Sequence, residues 1–189
     1  MKTIPVATTL SLLAALLFAL SVAIACGDDD SGGDPTGSNS DGDAVSVYFA
    51  DLQRIFDDAD GATSEAEEPL NDVSADAGLD VQLAALDTYL GEINAIFDEA
   101  IRQLDDLDMP AVAAAHHQDF IDAVRVSVTA GEALQDDLTD ITTDEQLDDR
   151  LAEFDSDTDA ALDEADAACL RLQEIADTED VGIDLECEA

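Results

Sequence analysis

Between residues 79 and 107 the apolar positions Leu79, Leu83, Leu86, Leu90, Ile93, Phe97, Ala100, Leu104 and Leu107 follow one another at alternating spacings of four and three. That period lines one face of a helix, so the segment predicts a single long amphipathic helix. A shorter stripe precedes it, Val45, Tyr48, Leu52, Ile55 and Ala59, widened by Phe49 and Phe56. The intervening DGATSEAEEPLNDVSADAG carries Gly61, Pro69, Asn71 and Gly78 and predicts a turn region.

Pro110 fits the first turn of a helix, which closes the long segment near Asp108 and opens a third. The third stripe reads Ala113, His117, Phe120, Val124, Ser127, Gly131, Leu134 and Leu138. A fourth helix is predicted to start at Thr142 or Thr143, each followed three residues later by Glu or Gln in a capping-box arrangement. Its stripe is Leu147, Leu151, Phe154, Thr158, Ala161, Ala165, Ala168, Leu172 and Ile175. Only the tail VGIDLEC approaches the two-residue period of a strand. Four stripes joined by short turns predict an all-α fold, an antiparallel four-helix bundle spanning residues 44–189. Near-heptad spacing implies helix crossings of about 20°.

The middle of stripes three and four is built from small residues, Ser127, Gly131, Thr158, Ala161, Ala165 and Ala168. Either these two helices approach closely there, or a gap opens opposite the bulky second helix; dense interior packing favours close approach.

The N-terminal part has a different pattern. Thr3 to Gly27 is a run of 25 uncharged residues following the single cation Lys2. That is the layout of a secretory signal peptide, residues 1–25, and also a run long enough to cross a bilayer uncleaved. Ala23-Ile24-Ala25 doubles as an A-x-A cleavage pattern that would release a soluble chain. After the apolar run, GDDDSGGDPTGSNSDGD offers nothing large to bury, so residues 26–43 are expected to form a disordered tether. A flexible spacer of that length strays about 20–25 Å root-mean-square.

Ala23-Ile24-Ala25-Cys26-Gly27 resembles the lipobox of bacterial lipoproteins, with alanine at the first position where leucine is usual. The resemblance covers the first 27 residues and implies that the Cys26 thiol carries diacylglycerol and becomes the first residue of the mature protein. It further implies a chain anchored by lipid to the cell membrane on its extracytoplasmic face, with the membrane as its first partner. The run LDDLDMPAVAAAHHQDF also resembles a turn and helix start of uncharacterised exported helical lipoproteins, a likeness that brings no activity with it. Once Cys26 is given to lipid, Cys169 and Cys187 remain, and two cysteines in an exported domain usually pair. The helix climbs about 12 Å from Cys169 to Asp177, and the extended tail is long enough to run back that far.

The chain holds 47 Asp and Glu against six Lys and Arg, a formal charge of −41, and loss of Lys2 with the signal makes it −42. Such a charge excludes ordinary binding to nucleic-acid phosphates and favours cations as company. It reads as a heavily solvated acidic surface or as adaptation to salty surroundings, where screening relieves self-repulsion.

Candidate chemistry is sparse. His116 and His117 point about 100° apart on a helix and cannot clasp one metal together. His117, on the apolar stripe, reads as a core histidine with satisfied hydrogen bonds. His116, with Asp119 one turn on, offers a polar site as a metal ligand or, more plainly, a hydrogen-bonding pair. No H-E-x-x-H, no C-x-x-C-H, no G-x-S-x-G and no phosphate-cradling glycine loop is present. The chain is therefore expected not to be an enzyme and to carry no cofactor, with calcium as the possible exception. Asp58, Asp60 and Glu67, with Gly61 between them, match later positions of an EF-hand loop, although Phe56 stands at the first ligand position. Asp155, Asp157, Asp159 and Asp166 match the oxygen spacing of a second, but Ala160 replaces the turn glycine inside an unbroken helical stripe.

These features predict a lipid-anchored, non-enzymatic binding or surface-structural bundle with an unknown protein partner or cations. The alternatives are a carboxylate-based calcium module and a carrier or sensor holding a small ligand between helices three and four.

Overall fold

A computed structural model describes residues 40–74, 77–185 and 187. The signal segment 1–25, Cys26 and the tether as far as residue 39 lie outside the described residues. The chain forms α1 (Ser40–Asn71), α2 (Leu79–Asp105), α3 (Ala114–Asp137), a 3-10 turn η1 (Leu138–Asp140) and α4 (Asp144–Thr178). They assemble as the expected antiparallel four-helix bundle.

Three boundaries differ from the sequence reading. Helix α1 starts at Ser40, four residues before the expected domain start at residue 44. It also runs twelve residues past Ala59, through Gly61 and Pro69, where a turn region was expected. Glycine in a helix costs about 1 kcal/mol relative to alanine, and apolar burial of Ala66 and Leu70 outweighs it. Pro69 sits in the last turn, where its missing N–H forfeits one helical hydrogen bond just before the helix ends. Pro110 opens a turn closed by Ala113 N–H donating to Pro110 O at 3.0 Å, and regular helix α3 begins only at Ala114.

The start of α4 follows the capping logic. Thr143 is the N-cap, its hydroxyl accepting from Gln146 N at 3.3 Å, while Gln146 Oε1 accepts from Thr142 N at 2.8 Å. Between α2 and α3, Gly131 lies so close to Asn94 that an added Cβ would stand 2.6 Å from Asn94 Oδ1.

Two apolar clusters fill the bundle. One joins Tyr48, Phe49, Leu52 and Ile55 of α1 to Ile101, Leu104, Ile121 and Leu172. The other joins Leu70 to Leu86, Tyr89, Leu90 and Ile93 of α2 and to Leu134, Leu147 and Leu151. The most extensive helix contact is α3 with α4, whereas α1 meets α4 only briefly.

The C-terminal tail occupies that thin seam. It runs back along α4 in extended coil, and the predicted disulfide between Cys169 and Cys187 closes with Cα atoms 5.6 Å apart. Gln173 clips the tail twice, donating from Nε2 to Ile183 O at 2.9 Å and accepting Leu185 N–H at 2.7 Å. Gln53 of α1 donates to Asp184 O at 3.4 Å, and Val181 and Leu185 are buried in the first cluster.

Candidate functional site

His117 sits 1 % exposed at the meeting of three helices. Its Nε2 lies 3.1 Å from Leu104 O at the end of α2, a carbonyl that only accepts, so Nε2 carries the proton. Nδ1 is then the acceptor for the Tyr48 hydroxyl of α1 at 2.8 Å. Burial lowers the His117 pKa below its ordinary value, against the opposing pull of the Leu104 hydrogen bond and the Asp105 charge. Burial likewise pushes the Tyr48 phenol upward. The neutral pair is a fully matched core network, as the apolar stripe predicted for His117. Tyr48, read from sequence only as an apolar stripe position, is its second half.

His116, one residue earlier, is partly exposed. Its Nδ1 lies 3.6 Å from Asp119 Oδ2, in an open groove of about 530 Å³ between α3 and α4. Asp122 of α3 and Glu164 and Arg171 of α4 complete the polar lining. The packing of α3 on α4 thus adds a carboxylate and a guanidinium from across the seam to the sequence-predicted pair, and Arg171 also pairs with Glu174 at 2.8 Å. The groove offers hydrogen bonds and charge of both signs. Its lining contains no serine, threonine or cysteine to act as a nucleophile.

Asp58, Asp60 and Glu67 all lie on α1, so the loop that an EF-hand reading requires is replaced by continuous helix. Asp58 is exposed and accepts from Arg54 at 3.4 Å. Asp60 is half-buried. Glu67 is 3 % exposed, and its Oε1 has no hydrogen-bond partner. The buried Tyr89 hydroxyl of α2 is likewise unpartnered. Burial, then the Asp60 charge, raises the Glu67 pKa, and burial followed by Asp57 raises that of Asp60. Tyr89 is pushed upward by burial and then by Glu67.

Among the described residues no guanidinium forms an ion pair with Glu67. Arg54 pairs with Asp51 and Asp58, Arg102 with Glu99, Arg125 with Asp105 and Asp122, Arg150 with Asp137 and Glu153, and Arg171 with Glu174. Among the described residues no three His, Cys, Asp or Glu side chains are placed to hold a metal ion. Asp155, Asp157, Asp159 and Asp166 lie along α4, within helix.

The stripe of small residues does both things that the sequence left open. Helices α3 and α4 pack closely, and a cavity of about 20 Å³ remains between α2, α3 and α4, walled by Leu90, Ile93, Phe97, Val128 and Phe154. Asn94, Ser127 and Thr158 are its polar lining. Asn94 had escaped the sequence reading because it lies beside, rather than on, the apolar stripe of α2.

No protein-family profile, characterised protein or solved structure matches the chain. Among the described residues no helix is long and apolar enough to cross a membrane.

Proposed function

We propose that this chain is an exported lipoprotein, anchored through Cys26 to the outer face of the cell membrane, whose helical bundle works without catalysis by binding a partner or shaping the surface. The observation that carries this reading is the Cys169–Cys187 disulfide, a bond that persists in oxidising compartments outside the cytoplasm. The Ala23–Gly27 match to a lipobox supplies the anchor, and residues 27–39 supply the spacer before α1.

The extreme acidity fits the same setting. A surface with formal charge near −42 resists aggregation and repels anionic lipid headgroups, which favours a bundle held off the membrane rather than lying on it. Cationic partners are the ones such a field attracts. The exposed groove around His116, Asp119 and Arg171 is one polar surface that suits a contact of that kind.

The test is the intact mass of the chain recovered from membranes of expressing cells, beside a Cys26→Ser variant. Acylation predicts a chain that begins at Cys26 with added diacylglycerol mass and a variant that loses it. An uncut chain, or a cut chain lacking lipid, overturns the anchor.

A further inference from the structure

The groove between α3 and α4 carries opposite charges at its two ends. The ion pair of Asp137 with Arg150 marks the register of these two antiparallel helices. His116 lies 21 residues before Asp137 and Arg171 lies 21 residues after Arg150, so the two meet across one end of the groove. Towards the other end Asp122 of α3 meets Glu164 of α4. From Glu164 to Arg171 the helix climbs about 10 Å, and Ala167 and Ala168 line the stretch between.

These charges are not consumed within the fold. Among the described residues Glu164 forms no ion pair, and Arg171 pairs with Glu174 alone. That pair is 64 % and 67 % exposed, so water weakens it and the guanidinium keeps donors for a second carboxylate. Asp119 meets His116 at 3.6 Å and is itself exposed. Asp122 already accepts from Arg125 and Gln118, which leaves Glu164 and Asp119 as the carboxylates open to a ligand.

The arrangement selects a chemical class. No three metal-ligating side chains converge among the described residues, so a bare cation is poorly held. The groove, about 530 Å³, falls in the range of about 300–1,000 Å³ that organic ligands occupy. We propose that it binds a small zwitterion whose ammonium and carboxylate stand at opposite ends of an aliphatic chain, as in ω-amino acids and lysine. The ammonium pairs with Glu164 and Asp119, the carboxylate with Arg171, and the methylenes lie over Ala167 and Ala168. A simple amine or a simple acid satisfies one end only. The inference rests on the reading of the bundle as a non-catalytic binder and is independent of the lipid anchor.

Isothermal titration of the full chain at fixed ionic strength tests it, with ε-aminocaproate as the probe and hexylamine and hexanoate as controls. The expected result is saturable binding of ε-aminocaproate, about tenfold tighter than either control, and a similar loss in Glu164→Gln and in Arg171→Gln. Both positions are exposed and glutamine is a good helix former, so circular dichroism of the variants should match wild type. No saturable binding of ε-aminocaproate, or hexylamine bound as tightly, overturns the proposal. Free lysine and a peptide ending in lysine separate the two sources of this chemistry, and tighter binding of either supports the site. A chain whose lipid is confirmed by mass but which binds no zwitterion strikes this site and leaves the anchor standing; zwitterion binding without lipid does the reverse.

Discussion

The Tyr48 hydroxyl and His117 Nδ1 stand 2.8 Å apart in the core, and across the same ring Nε2 donates to Leu104 O at 3.1 Å. One neutral imidazole thereby ties α1, α2 and α3 together, at the end of the bundle where the disulfide and tail also pack.

Tyr48→Phe leaves His117 Nδ1 buried without a donor, and should cost about 1–2 kcal/mol, the usual penalty for an unmatched buried polar atom. The pH dependence has a definite sign. Because the folded-state pKa of His117 lies below the unfolded value near 6.5, the unfolded chain takes up the proton first. Its contribution is complete above pH 6.5 and is lost as pH falls below that. Thermal melts of wild type and His117→Gln across pH 5–7.5 check this: the His117-dependent slope should disappear in the variant.

Glu67 carries the opposite sign. Its folded-state pKa is raised, so the native state binds the extra proton and stability declines as pH rises from the ordinary carboxylate range through the raised value. Glu67→Gln should therefore stabilise the bundle by about 1 kcal/mol at pH 7, the low end for relieving a buried unmatched group. At pH 4 the gain should vanish. Paired urea titrations at the two pH values measure it, and an equal gain at both would show that ionisation is not the cause.

Two glycines should respond in opposite directions to alanine. At Gly61 an added Cβ meets nothing within 4 Å, so Gly61→Ala should stabilise α1 by about 1 kcal/mol through helix propensity. At Gly131 the same Cβ would fall 2.6 Å from Asn94 Oδ1, and overpacking should cost about 1–3 kcal/mol. Chemical denaturation of both variants gives the comparison directly.

Reduction should loosen the tail first. The disulfide spans 18 positions, and closing a loop of that size contributes about 3 kcal/mol on the chain-entropy account. Cys187→Ser should lower the melting midpoint accordingly and should speed amide exchange at Leu185, whose N–H is held by Gln173. Unchanged exchange at Leu185 would mean that Gln173 and apolar burial hold the tail without the covalent bond.

Helix α2 was legible almost to the residue because its alternating spacing is unbroken from Leu79 to Leu104, and α4 because Thr143 and Gln146 form their cap locally. The second half of α1 was not. Gly61, Pro69 and Asn71 are local breakers, and what overrules them is the packing of Ala66 and Leu70 against the face of α2, which no window of α1 contains. The groove was half legible: His116 and Asp119 are one turn apart in sequence, whereas Glu164 and Arg171 arrive from another helix.

The sequence by itself determined the four stripes, the pairing of Cys169 with Cys187, the core placement of His117 and the acidity of the surface, because period, cysteine parity and composition are local or additive properties. Tertiary structure alone decided that Tyr48 faces His117, that Glu67 is buried near Tyr89 and apart from the described guanidinium groups, and that Asn94 meets Gly131 beside a small cavity. Those relationships join residues 22 to 69 positions apart, and they depend on helix register and rotation, which only the packing of one helix on another fixes.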